Sequence, residues 1–188
     1  MNEYIYKLNL PNIQDLVINE NFSKLINDPV FIKKGHAYIP ADRIFKKQYL
    51  EIKNIQFNML SVFLKYNATG SIHVDSKERV PDESDPCLWG INWLYNGTGT
   101  AEFWKKSNLD SVQVVEDKVG TYNIKCNVST PPDKIYQMDD TLPYLFNASV
   151  PHRASGFGKR YAFSLRATKT SMTWQQVCNT FNELIIVN

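Results

Sequence analysis

TLPYLFNASVPHRASGFGKRYAFSLRA, residues 141–167, contains two strand-like runs on either side of a histidine. Seven positions near its end, RYAFSLR (160–166), alternate in character. Counting by twos from Arg160, one face carries Ala162, Ser164 and Arg166, and the other carries Tyr161, Phe163 and Leu165. The apolar face suits a strand packed on a core. The opposite face holds small residues between two arginines, which leaves room for a ligand beside guanidinium forks able to grip a carboxylate through two hydrogen bonds. LPYLFNASV, just upstream, is short and apolar, and His152 follows it after Pro151.

The same texture extends upstream. FNMLSVFLKY, LWGINWLYN, TAEFWKK, SVQVVED and TYNIKCNV are short, rich in β-branched or aromatic residues, and separated by Gly, Pro, Asn and Asp. Seven or eight such strands predict a mainly β fold, a sandwich or jelly roll that can enclose a small-molecule pocket at its mouth. YNGTGTAEF is predicted to form a hairpin through Gly97 and Gly99.

The ends of the chain read differently. NFSKLI fits a short helix, and ADRIFKKQYLEIKNI places Ile44, Phe45, Tyr49 and Ile52 on one helical face with Asp42 near its start. TWQQVCNTFNELII sets Trp174, Val177, Cys178, Phe181, Leu184 and Ile185 on one face, with Thr173 and Gln176 as a capping box. The expected organisation is one domain over 1–188. It comprises a β core at 57–168, a mixed helical buttress at 1–56 and a C-terminal helix within 170–188.

Composition narrows the function classes. The 188 residues include 21 Lys and Arg against 19 Asp and Glu, and a net charge of +2 supplies no strong field for nucleic acid or an anionic membrane. Cys87, Cys126 and Cys178 are odd in number and widely spaced, which suggests neither a disulfide framework nor a zinc knuckle and fits a reducing compartment. No run of about 18 apolar residues occurs and the N-terminus does not read as a secretory signal, so a cytoplasmic protein is expected.

The chain has three histidines, His36, His73 and His152. In GSIHVDS, His73 and Asp75 stand two apart, so on a strand both side chains project to one face while Val74 points the other way. An H-x-D pattern alone is short enough to arise by chance. His152, beside a strand and ahead of Arg160, supplies a third ligand. Two imidazoles and a carboxylate on one face, with opposite coordination positions left open, make the facial triad of non-haem Fe(II) oxygenases.

KYNATGSIHVDS, LWGINWLYNGTGTAEFW and TLPYLFNASVPHRASGFGKRYAFSLRA together resemble the core of the 2-oxoglutarate- and Fe(II)-dependent dioxygenases. The resemblance is to the prolyl-hydroxylase-like and aspartyl/asparaginyl-hydroxylase-like branches, including small phage and environmental members, and it covers roughly 57–168. It implies a double-stranded β-helix of jelly-roll, cupin-like form. His73, Asp75 and His152 would bind Fe(II). Arg160 would pair with the distal carboxylate of 2-oxoglutarate, with Arg166 as the alternative arginine, and Tyr66, Asn92 and Ser164 would line the co-substrate site. The implied reaction consumes O2 and 2-oxoglutarate, releases succinate and CO2, and hydroxylates a C–H bond of an amino acid, peptidyl residue or small metabolite. Related halogenases lack the carboxylate that Asp75 provides, so its presence points to hydroxylation. The resemblance also admits a phage or viral protein in a host cytoplasm.

Two other classes compete. A cupin-like metal enzyme without 2-oxoglutarate would share the barrel but would not need Arg160 facing an emptied interior. A non-enzymatic jelly-roll module would have no use for the triad. Elsewhere, His36 reads as a surface or structural residue, Arg153 and Lys159 as solvated flanks, and Trp89, Trp93 and Trp104 as core. SKERVPDESDP (76–86) leaves from the edge of the triad and reads as a solvated loop able to act as a substrate lid. Substrate and oligomeric state are not legible.

Overall fold

The computed structural model describes residues 4–66, 69–76, 88–116, 122–156, 158–167 and 171–186, with the side chains of 65, 66, 116 and 122 excepted. Fourteen strands occur among them: β1 (Ile5–Lys7), β2 (His36–Pro40), β3 (Glu51–Ile52), β4 (Ile55–Gln56), β5 (Met59–Tyr66), β6 (His73–Ser76), β7 (Trp89–Tyr95), β8 (Gly99–Phe103), β9 (Ser111–Glu116), β10 (Tyr122–Asn127), β11 (Lys134–Met138), β12 (Tyr144–Asn147), β13 (His152–Ser155) and β14 (Lys159–Arg166). The α-helices are α1 (Ile13–Leu16), α2 (Asn19–Ile26), α3 (Pro29–Lys34) and α4 (Trp174–Phe181).

Two six-stranded antiparallel sheets carry the fold, in the orders β1-β12-β7-β14-β5-β2 and β11-β8-β13-β6-β10-β9. Along the chain β5, β7, β12 and β14 fall in the first sheet, and β6, β8, β11 and β13 in the second. This interleaving is the double-stranded β-helix, a jelly roll of cupin type. The β9–β10 hairpin is inserted between β8 and β11 and extends the second sheet past β6.

The alternation in RYAFSLR sets the layers. Tyr161, Phe163 and Leu165 join Leu64, Val62, Leu60, Trp93 and Ile91 on the outer face of the first sheet. Helices cover that face through Phe22, Phe31, Val177 and Phe181. Burying large side chains of this kind stabilises by about 1.5–3 kcal/mol each, so the layer fixes which way Arg160, Ser164 and Arg166 must point. They face the second sheet. A smaller apolar cluster, including Leu94, Ala101, Phe103, Tyr144 and Phe146, fills one side of the space between the sheets and leaves the other side polar.

Three expectations change. ADRIFKKQYLEIKNI is not a helix: 3-10 turns at Ala41–Arg43 and Lys47–Tyr49 lead into the β3–β4 pair, with Lys53 and Asn54 at positive φ in the connecting turn. Ile44 and Phe45 are still buried, but by turns that dock them individually. YNGTGTAEF is not a hairpin, because β7 and β8 belong to opposite sheets and the segment crosses from one to the other. Arg153 is half-buried rather than solvated, paired with Glu102 and lying 5.3 Å over the Trp104 ring.

Two helical readings hold, although the C-terminal helix stops at Phe181 and passes into a 3-10 turn at Asn182–Leu184. α2 contains NFSKLI, and α4 begins with the capping box, in which Thr173 Oγ1 accepts from the Gln176 amide and Gln176 Oε1 accepts from the Thr173 amide. Trp89, Trp93 and Trp104 are buried, and His36 and Lys159 are exposed. Among the described residues no helix is long and apolar enough to cross a membrane.

Candidate metal centre

β6 and β13 run antiparallel with His73 directly opposite His152, so the two rings share the inward face and their centroids lie 4.3 Å apart. Asp75, two residues along β6, joins that face, with Oδ1 3.7 Å from His73 Nε2. One ligand atom from each of the three residues falls within 4.8 Å of the others. Ligand atoms on one face of an octahedral ion, each about 2.2 Å from it, lie about 3.1 Å apart, so the three side chains draw together when the triad closes on a metal. The donor set of two imidazoles and one carboxylate fits a divalent first-row ion.

Both rings are oriented by the same local device. His73 Nδ1 lies 2.9 Å from the Ser71 carbonyl and His152 Nδ1 lies 2.8 Å from the Val150 carbonyl, each two residues back. A carbonyl only accepts, so each Nδ1 carries its proton, and in the neutral ring Nε2 is left with a free lone pair for a metal. His152 sits against Phe146 and Phe103, with centroids 5.0 Å and 6.3 Å away. Burial, reinforced by the charge of His73, pushes its pKa down to about 3 and keeps the ring neutral near pH 7. Burial would raise the Asp75 carboxyl, but Arg166, His152 and His73 outweigh it and hold the group below its ordinary value.

Arg166 reaches this carboxylate from the opposite sheet. Its Nη2 is 3.4 Å from Asp75 Oδ2, and its Nε donates to Ser164 Oγ at 2.9 Å. Asn123 on β10 adds a contact from Nδ2 to Asp75 Oδ1 at 3.4 Å.

Arg160 lies at the other end of β14 and is 4% exposed. Its Nη1 donates to the carbonyls of Thr98, at 3.1 Å, and Ser155. No carboxylate pairs with it among the described residues. Gly99 and Gly156 flank the guanidinium, and a Cβ on either would collide with it. Gly99 therefore makes room for a buried cation instead of closing a hairpin. Arg160 Nε, Ser155 Oγ and Asn92 Oδ1 are buried without a hydrogen-bond partner among the described residues. Asn92 and Ser164 are cross-strand neighbours on β7 and β14.

Of the residues expected at the site, His73, Asp75 and His152 come together. Arg160, Asn92 and Ser164 line the same interior, and Arg166 belongs to the metal end. Tyr66 ends β5, with its side chain outside the described residues; nearly all of 76–86, and so the lid reading, lies outside them too. Asn123 was not singled out from sequence. Its signal was the period of TYNIKCNV, which is decisive only once Asn123 is known to pair with Asp75.

No family model and no curated protein matches the chain. Among solved structures it is similar to E. coli ycfD at 8% identity, covering 68% of this chain and 29% of that one, with a TM-score of 0.38. It is also similar to hydroquinone 1,2-dioxygenase from Sphingomonas sp. TTNP3, at 9% identity, 69% and 68% coverage and a TM-score of 0.35. A third is the QdtA 3,4-ketoisomerase of Thermoanaerobacterium thermosaccharolyticum, at 12% identity, 80% and 94% coverage and a TM-score of 0.37. The chain spans less than a third of the ycfD chain. Likeness of this degree says nothing about activity; the sheet topology carries the fold.

Proposed function

We propose that this protein is a 2-oxoglutarate-dependent, non-haem Fe(II) dioxygenase that hydroxylates a C–H bond. The observation that carries the reading is Arg160, a buried cation without a carboxylate partner among the described residues, facing the same interior as a His–Asp–His group. An unpaired buried charge is costly, and a dicarboxylic acid entering this space would supply the missing anion.

His73 and His152 would hold the metal through Nε2, and Asp75 through its carboxylate. When bound, Fe(II) with 2-oxoglutarate and O2 supplies the oxidising power, the co-substrate leaving as succinate and CO2 while the substrate gains a hydroxyl group. Arg160 would grip the distal carboxylate of the co-substrate. Asn92 and Ser164 offer polar atoms along the interior between that carboxylate and the metal end. Arg166 and Asn123 orient Asp75, and Phe103 and Phe146 keep water from the buried side of His152.

Arg160 is preferred over Arg166 as the co-substrate arginine because Arg166 is already engaged by Asp75 and Ser164. Protein loaded with Fe(II) and given 2-oxoglutarate labelled at its first carbon is expected to release labelled CO2 and succinate in equal amounts. Bound metal with no release would favour a cupin-type metal protein that does not use this co-substrate.

A further inference from the structure

The metal centre is closed on one side and open on the other. Paired residues on neighbouring antiparallel strands share a face, so the register defines one row across the second sheet: Phe103, His152, His73, Lys125, Gln113. Along it, Phe103 is fully buried, His152 is 6% exposed, the His73 side chain is 24% exposed, and Lys125 and Gln113 are exposed. A parallel row runs from Asp75 through Asn123 to Val115. The centre therefore opens toward the β9–β10 hairpin, whose inward face continues the wall that holds the metal ligands.

The hairpin's part of that wall carries charge of one sign. Among the described side chains of β9 and β10 on this face, Ser111, Gln113, Val115, Asn123, Lys125 and Asn127, there is one cation and no carboxylate. Lys125 stands directly across from His73 and has no ion-pair partner among the described residues. Arg166, with 22% of its side chain exposed, spends Nε on Ser164 and Nη2 on Asp75 and leaves Nη1 without a partner among the described residues.

We propose that the substrate carries a carboxylate near the C–H bond to be oxidised, received at the open side of the metal centre by Lys125 and Nη1 of Arg166. A flexible ammonium and one guanidinium nitrogen form charge-assisted hydrogen bonds to such a group. Asn123 and Gln113 add polar partners on the same wall. This rests on the functional reading above and narrows its substrate class. The carboxylate can come from a free amino acid or from an acidic residue of a peptide.

The test uses protein loaded with redox-silent Zn(II) and saturated with 2-oxoglutarate. Ligand-observed NMR then measures binding of the free L-amino acids against their amides, and of end-blocked Gly-Asp-Gly against Gly-Asn-Gly. Carboxylate probes are expected to bind at least tenfold more tightly than their amides, and the two arms tell which source is used. Lys125→Ala should weaken that binding about tenfold and Lys125→Arg should restore it. The exposed position of Lys125 makes misfolding an unsuitable explanation, and a melting curve of each variant checks it. Equal binding of acids and amides, no binding of any carboxylate probe, or no effect of Lys125→Ala would overturn the proposal. Failure of 2-oxoglutarate itself to bind would instead remove the functional reading, and the carboxylate arms would then be run on the metal-loaded protein alone.

Discussion

His152 concentrates several demands in one residue. Its ring is buried against Phe103 and Phe146, its Nδ1–H is held by the Val150 carbonyl, and its Nε2 faces the other ligands. With the folded pKa near 3 and an ordinary value of 6.5, the unfolded chain binds the extra proton between those limits. Stability of the metal-free protein should therefore fall as pH drops from about 6.5 toward 3, with this residue contributing at most about 1.4 kcal/mol per pH unit. Urea unfolding across that range checks it: His152→Leu is expected to flatten the slope, and an unchanged slope would contradict the burial argument. Arg160 makes a separable prediction. Arg160→Met should raise the 2-oxoglutarate dissociation constant about 30-fold or more, since removing one partner of a buried charge pair costs about 2–5 kcal/mol. Metal affinity, read by anaerobic titration, should be unchanged, because Arg160 touches none of the three metal ligands.

At the scale of elements, the close approach of β8 and the β13–β14 turn to Arg160 depends on two glycines. Gly156→Ala inserts a methyl group where the guanidinium lies. It should destabilise by about 1–3 kcal/mol through overpacking and weaken 2-oxoglutarate binding at least tenfold. Retained co-substrate affinity in a calorimetric titration would mean that Arg160 is not held where its function requires. These elements also mark what the sequence could disclose. The alternation in RYAFSLR was legible because large apolar and small polar residues differ strongly in burial, and it placed both arginines on the inner face. H-x-D was legible because period two is a property of any strand. α3 left a readable signal that went unused: Asp28 caps it through the Val30 and Phe31 amides, Pro29 opens it, and Gly35 closes it at φ 71. ADRIFKKQYLEIKNI misled because 3-10 turns also bury Ile44 and Phe45, and spacing alone does not separate the two. Gly97 and Gly99 were misassigned to a hairpin because crossing between sheets uses the same permissive residues as turning within one. The facing of Arg166 and Lys125 toward the metal ligands depends on strand register, which no local pattern encodes.

The whole molecule is an asymmetric sandwich. Its larger apolar layer lies outside the first sheet, under helices, and this frees half of the space between the sheets for polar side chains. A fold stabilised on its outer face can tolerate a metal centre inside, and the centre should in turn stabilise the fold. Fe(II) at a hundredfold excess over its dissociation constant is expected to add about 2.7 kcal/mol, raising the melting temperature by roughly 5–10 °C. A chelator should reverse the shift, and Asp75→Ala should not show it. If one interior holds both the metal and 2-oxoglutarate, anaerobic titration of 2-oxoglutarate into Fe(II)-loaded protein reads their contact. A weak visible charge-transfer band is expected, saturating at one equivalent and lost, at the same concentrations, in Arg160→Met. Metal bound at the His73–Asp75–His152 centre with no such band would contradict it.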